Sequence, residues 1–224
     1  TLHTHLKMTG HLLFGRWKLE AGSWIATEPG PMRDDPRNRF IRMLITFTDG
    51  TQLALCDMRR FAKVGLYHTE GIGERLEIGP LGPEPLHKTF TQEVLAKILE
   101  NTTMRPVKQF LMDQTKIAGI GNIYSDEMLF RAGIHPRRRP SSLSKRELAL
   151  LHTAMQAVLH EGMEFGGDSD VDYRNIDGMR GRFQGEHNAY RRTGKPCKKR
   201  GCKGIIKREV VGARSAHYCP EHQK

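Results

Sequence analysis

Gln114-Thr115-Lys116-Ile117-Ala118-Gly119-Ile120-Gly121-Asn122-Ile123-Tyr124 is the stretch on which the reading of this chain turns. It lies between two segments of helical pattern. Two glycines at i and i+2 permit positive φ and a close backbone approach, and Asn122 stands where it would cap the next helix. Backbone amides at such a helix start make a seat for phosphate. This is no dinucleotide fingerprint, because no strand precedes it and the third glycine is missing. An ordinary helix–helix turn fits the same residues, so the loop has to be read with its surroundings.

Those surroundings are helical from about residue 89 to 165. Val94, Leu95, Ile98 and Leu99 line one face of a short helix. Further on, Ser144 with Glu147 forms a capping box, with Leu143 placed to staple to Leu148. Leu148, Leu151, Met155, Val158 and Leu159 then make a core stripe at helical spacing, predicted to end at Gly162. Residues 1–82 read instead as β-rich. Residues 43–47 and 52–56 are short apolar strands around Asp49-Gly50, a hairpin signal. Cys56, alone in its strand, reads as a small buried hydrophobe. The Pro/Gly run at residues 79–85 is a plausible linker between the two regions. Residues 2–6 already look like strand with no partner before them. That pattern suggests an N-terminally incomplete chain, a compact processed N-terminus being the alternative.

Composition narrows the function. The 224 residues are 38% hydrophobic and 27% charged, which fits a folded chain rather than a disordered one. No run of 18 apolar residues offers a membrane span, and no signal segment leads the chain, so a cytoplasmic protein is expected. Lys and Arg number 36 against 25 acids, a net charge of +11. The excess is concentrated: residues 190–224 hold 11 Lys/Arg against Glu209 and Glu221, a local balance of +9. Such a field attracts a polyanion, nucleic acid first. A membrane surface fits less well, for want of an amphipathic helix in the basic tail. A merely solvated basic tail stays open on charge alone.

The same tail holds Cys197, Cys202, Cys219 and His222 in the pattern C-x4-C-x16-C-x2-H. Two ligand pairs flanking a hairpin suit a tetrahedral Zn2+. Residues 205–211 and 214–218 read as its strands, turning at Gly212. A tail of about 35 residues has little core, so metal would supply much of its folding energy. A Cys197–Cys202 disulfide is the alternative. His217, two residues before Cys219, competes with His222 for the fourth position.

Taken together, the chain resembles the bacterial formamidopyrimidine-DNA glycosylase / endonuclease VIII family. The resemblance rests on four ordered motifs spanning nearly the whole sequence. They are His5-Leu6-Lys7-Met8-Thr9-Gly10; Asp57-Met58-Arg59-Arg60-Phe61; the run from Met112-Asp113-Gln114 through Asn122 and Asp126-Glu127 to His135-Pro136; and Tyr190-Arg191 with Gly194-Lys195-Pro196-Cys197 and Arg214-Ser215-Ala216-His217-Tyr218-Cys219-Pro220. The resemblance implies an α+β fold: the remnant of an N-terminal β-sandwich (1–82), a helix–two-turn–helix domain (89–165), a lesion-covering loop (166–186) and a zinc-finger hairpin (187–224).

It also implies a base-excision repair enzyme that removes oxidised bases, purines such as formamidopyrimidines and 8-oxoguanine first, and then cleaves the abasic strand. The family's attacking amine is an N-terminal proline, which this sequence lacks. The expectation is therefore an inactive chain from an active parent. Met8, Arg59 and Phe61 are implied to fill the gap left by the flipped base. Lys108, Gly119, Gly121, Asn122 and Tyr190 are implied to meet phosphates. Arg214 would grip a phosphate and serve the second elimination. One structural Zn2+, damaged double-stranded DNA as partner, a monomer, and a bacterial nucleoid-associated location complete the picture.

There are departures. The finger's first knuckle has two extra residues and its last ligand is a histidine. Phe40-Ile41-Arg42 stands where many members carry His-x-His, with Arg42 as a substitute contact. Asp168, Asp170 and Asp172 mimic a calcium loop, but Tyr173 and Met179 occupy positions that need Gly and Glu, so calcium is rejected. The competing readings are a non-catalytic damaged-DNA-binding protein of the same family, and an RNA-binding zinc-knuckle protein, which leaves the glycine loop unexplained.

Overall fold

The computed structural model describes residues 1–70, 81–100, 104–168 and 173–224. Part of the expected linker (79 and 80) and two of the rejected calcium-loop acids (Asp170, Asp172) lie outside the described residues. The chain divides into two compact units: Thr1–Glu77 with Glu164–Gly185, and Ile78–Met163 with Glu186–Lys224.

The first unit is built of short antiparallel strands. β1 (Leu2–His5) pairs with β7 (Lys63–Leu66). β2 (Gly10–Gly15), β6 (Gln52–Asp57) and β5 (Ile41–Thr46) form a sheet in the order β2-β6-β5, and β3 (Trp17–Glu20) pairs with β4 (Ser23–Ala26). The hairpin expected at Asp49-Gly50 forms, with Thr46 opposite Gln52 and Gly50 at φ 79°. Asp49 Oδ1 accepts the Thr51 amide at 2.9 Å and its hydroxyl at 2.6 Å, an aspartate-stabilised turn. Leu13, Trp17, Ala26, Ile41, Ala54 and Cys56 pack as the core. Cys56 is the inert hydrophobe expected: burial pushes its thiol pKa up to about 12, and the thiol donates to the Arg37 carbonyl. The returning segment 164–185 joins this unit through the Phe14 amide on the Ile176 carbonyl (2.8 Å) and the buried Arg174–Asp35 pair (2.7 Å).

Among the described residues the second unit holds four α-helices, α1 (Gln92–Glu100), α2 (Val107–Leu111), α3 (Asn122–Ala132) and α4 (Lys145–Glu164), and a hairpin of β8 (Lys207–Val211) and β9 (Arg214–Tyr218). The capping box forms in both directions: Glu147 Oε2 accepts the Ser144 amide (2.8 Å) and Ser144 Oγ accepts the Glu147 amide (3.3 Å). Leu151, Met155 and Val158 are buried as the stripe predicts, while Leu148 and Leu159 are half-buried. α4 runs past Gly162, its predicted end, to Glu164. Gly162 is a packing glycine instead: a Cβ there would meet the Tyr124 ring at 2.8 Å. β8 starts at Lys207 rather than 205, because Ile205 is drawn into a bridge with Pro196. Gly212 (φ 57°) and Ala213 (φ 62°) turn the hairpin with two left-handed residues, the type I′ pattern. Among the described residues no helix is long and apolar enough to cross a membrane.

Candidate nucleic-acid interface and metal centre

The buried apolar cluster at the finger is small, formed by Phe130, Ala189, Ile206 and Cys219, and the candidate ligands come together beside it. The donor atoms of Cys197, Cys202, Cys219 and His222 lie within 4.8 Å of one another. Cys202 Sγ is 3.6 Å from Cys219 Sγ, and Cys197 Sγ is 3.4 Å from His222 Nδ1. Metal–thiolate bonds of about 2.3 Å in a tetrahedron give edges of about 3.8 Å, so the cluster has the size of a metal site. The disulfide alternative fails, since Cys197 and Cys202 are both free. His222 Nε2 hydrogen-bonds the Phe130 carbonyl (3.0 Å), which fixes the ring and leaves Nδ1 for the metal. Burial lowers the His222 pKa, which keeps the imidazole in the neutral form a ligand needs. His217, the competing fourth ligand, is engaged elsewhere: its Nδ1 lies 3.0 Å from Asp126 Oδ2.

That contact is one of several by which α3 holds the finger. Asp126 Oδ2 also accepts the His217 amide (2.9 Å), and Asn122 Nδ2 donates to Ser215 Oγ (3.4 Å). Positions 215 and 217 of β9 therefore face α3, as period-2 alternation requires. Glu127, fully buried, takes the next segment: Oε1 accepts the amides of Ala189 and Tyr190 (both 2.9 Å), and Oε2 the amide (2.8 Å) and Nδ2 (3.1 Å) of Asn188. The Tyr190 ring stands edge-on to His217 at 4.9 Å. Sequence motifs contain Asp126 and Glu127, but only the fold reveals that each bridges from α3 to the finger.

Immediately before α3 the glycine loop differs from its reading in two respects. Gly121, not Asn122, is the N-cap; Asn122 is the first helical residue and spends its side chain on Ser215. Gly119 carries the positive φ (80°), and its amide is consumed by Gln114 Oε1 at 2.8 Å. Gln114 Nε2 closes the brace on the Ile120 carbonyl (2.8 Å), a role no local sequence signal marks. The amides opening α3 have no intrahelical acceptor, and a Cβ on Gly121 would meet open space. Gly121 has extended backbone (φ −101°, ψ −175°) that any residue adopts, so its glycine is not demanded by the turn.

Lys108 departs furthest from expectation. It is fully buried, and Nζ donates to Asp126 Oδ1 (2.5 Å), Ser125 Oγ (3.1 Å) and the Asn122 carbonyl (3.2 Å). An ammonium so enclosed has no surface left for a phosphate, and it secures the first turn of α3 instead. Burial pulls its pKa down, against the Asp126 carboxylate. Arg214 is exposed at the start of β9, and its guanidinium has no partner among the described residues.

In the first unit, Met8, Arg59 and Phe61 meet. Arg59 Nη1 lies 3.3 Å from Met8 Sδ, and Arg59 Cζ stands 4.9 Å from the Phe61 ring centre. Met8 is 66% and Phe61 53% exposed, so neither serves the core. Beneath them the buried Asp57 Oδ1 accepts the Thr9 hydroxyl and the Arg59 amide (3.2 Å), and Oδ2 the Ala62 amide (2.8 Å). Burial raises the Asp57 pKa, but these donors outweigh it and leave it below the ordinary value. Asp57 thus fixes the two strand ends that carry the trio. Arg42 donates Nε to the Asp57 carbonyl (3.0 Å) and joins Arg37 and Arg39 around Phe40.

A family model described as the formamidopyrimidine-DNA glycosylase H2TH domain matches residues 81–173. The formamidopyrimidine-DNA glycosylase of Pelotomaculum thermopropionicum is 39% identical over 224 residues, covering 100% of this chain and 74% of the relative. That of Synechocystis sp. is 38% identical over 224 residues, covering 99% and 71%. Among solved structures, the complex between the Lactococcus lactis Fpg and abasic-site DNA matches with a TM-score of 0.80 at 29% identity, covering 100% of this chain and 74% of that one. The complex of the Lactococcus lactis protein with a FAPY-dG containing DNA matches at 0.79, also with 29% identity and 100% and 74% coverage.

Proposed function

The chain belongs to the formamidopyrimidine-DNA glycosylase family, and on that premise we propose that it grips damaged double-stranded DNA for base-excision repair. Its parent activity is a DNA glycosylase. The finer reading adds AP-lyase chemistry and a preference for oxidised purines. What supports the damaged-DNA reading is the contact of Met8, Arg59 and Phe61 on exposed turns, where nothing in the core requires them. Flipping a base out of the stack costs a few kcal/mol, and side chains that occupy the gap offset part of that. Met8 and Phe61 supply the apolar wedge, and Arg59 supplies donors to the orphaned base.

In the second unit the open amides of α3, that of Asn122 among them, take phosphate oxygens together with Tyr190 and Arg214. Lys108 contributes indirectly, by securing the α3 turn. Segment 166–186 covers the flipped base. Cys197, Cys202, Cys219 and His222 hold one Zn2+, whose chemistry here is structural: four protein donors close the site and leave no open position for a substrate. Arg214 also stands ready to donate a proton in the second elimination.

The AP-lyase reading is tested by borohydride trapping of an adduct with abasic-site DNA, made with a chain extended to the full length of its relatives, of which these 224 residues cover 74% and 71%. Tight binding without trapping in that extended chain would favour a non-catalytic damage binder. Arg59→Ala should weaken binding to abasic-site duplex more than to single strands. Equal losses on both would remove the wedge role.

A further inference from the structure

Arg214 emerges from a two-residue turn in a two-stranded hairpin, an element that is marginal by itself. Something must fix where its guanidinium points. From one side α3 holds β9 through Ser215 and His217. The turn leans on α2: a Cβ on Gly212 would meet the Gln109 side chain at 2.7 Å. On the β8 side stands Arg137. Its Nε donates to Glu209 Oε2 (2.9 Å) and its Nη2 to the Val210 carbonyl (2.9 Å). Two adjacent residues of β8 are thus held by one planar fork, which a lysine could not reproduce.

The base of this grip is itself anchored. The Lys108 amide donates to the Pro136 carbonyl (3.3 Å), the Val107 amide to the Arg138 carbonyl (2.7 Å), and the Arg137 amide to His135 Nδ1 (3.2 Å). Val211, next along β8, pairs directly with Arg214. The path from a fixed loop to the Arg214 backbone is therefore Arg137, residues 209–210, Val211, Arg214.

We propose that Arg137 is a positioning residue for Arg214, acting through Glu209 and Val210 to set where the hairpin meets the DNA backbone. The inference rests on the phosphate role given to Arg214 above. It makes a prediction opposite in sign to simple electrostatics. Glu209 is one of only two acids in a strongly basic tail. If Arg137 merely offered its own charge to a phosphate, deleting Glu209 would free it and tighten DNA binding. If Arg137 positions, deleting Glu209 loosens the hairpin and weakens binding.

The test is fluorescence anisotropy on an abasic-analogue duplex across a salt series, using the whole chain. Arg214→Ala should weaken binding and lower the salt slope by about 1. Glu209→Ala should weaken it about three- to tenfold with a slope change in the same direction. Glu209→Gln, whose amide oxygen still accepts from Arg137, should stay within about twofold of the parent. Arg137→Lys should weaken it although the charge is kept, and Arg137→Ala should add little to Arg214→Ala. Metal content equal to the parent's guards against a finger that has simply unfolded. Parent-like or tighter binding by Glu209→Ala overturns the proposal, as does full additivity of Arg137→Ala and Arg214→Ala. A parent chain that shows no salt-dependent binding to the duplex overturns the DNA-binding reading instead.

Discussion

Replacing Glu127 by Gln should detach the segment that carries Tyr190. The Glu127 side chain is fully buried and accepts four N–H groups, two on each oxygen. Glutamine turns one of those oxygens into a donor, so whichever way the amide lies, two donors face a donor. Hydrogen bonds to a charged group contribute about 1.5–3 kcal/mol each, so losing two costs about 3–6 kcal/mol. Relief of the buried charge returns part of this, leaving a net loss of about 2–4 kcal/mol. Native-state hydrogen exchange reads it directly. At about 1.4 kcal/mol per factor of ten, the Ala189 and Tyr190 amides should exchange about thirty- to several-hundred-fold faster. Glu127→Ala, which leaves all four donors unpaired, should be worse. DNA affinity should fall with the Tyr190 contact while the metal stays bound. If both amides of Glu127→Gln keep the parent's exchange rates, the bridge from α3 to the finger is not what orders residues 188–190.

Three further outcomes follow from the structure. Cys219→Ser should lose one metal equivalent per chain, with collapse of amide protection across β8 and β9; unchanged metal content in elemental analysis would contradict the cluster. Glu147 is held at a pKa of about 2, from an ordinary 4.5, chiefly by the Arg138 guanidinium and then by Ser144. A depressed carboxylate contributes stability that is complete above about pH 4.5 and lost as the pH falls through about 2. Glu147→Gln should therefore lower the urea midpoint at pH 6 and flatten its fall between those values, and an unaltered acid limb would refute this. Gly162→Ala sets helix propensity, a gain of about 1 kcal/mol, against overpacking on the Tyr124 ring, a cost of about 1–3 kcal/mol. The clash at 2.8 Å should win, and a raised unfolding midpoint would show that the ring yields.

Much of the architecture was legible because it is local. The capping box at Ser144 and Glu147, the Asp49-Gly50 hairpin and the Gly212 turn depend on a few neighbouring residues, and each formed where its signature lies. The three cysteines of the candidate metal cluster were legible for the same reason, while the fourth position stayed open between His217 and His222 until the fold brought His222 to them. Where local reading failed, a distant partner intervened. Gly162 is a helix stop by composition but a packing glycine once Tyr124 lies over it. Asn122 is a good cap by propensity, yet Ser215, 93 residues away, takes its side chain.

The sequence by itself determined the alternation of strand and helix, the basic tail and its three cysteines at ligand spacing, since periodicity, turn chemistry and donor spacing are written in consecutive residues. Only the tertiary structure decided that His217 serves Asp126 rather than the metal, and that Lys108 is locked inside α3's first turn. It alone showed Met8, Arg59 and Phe61 in contact. Those outcomes depend on which charged groups are buried together, and a buried carboxylate takes whatever donors the fold brings within about 3 Å, however far apart they stand in the chain.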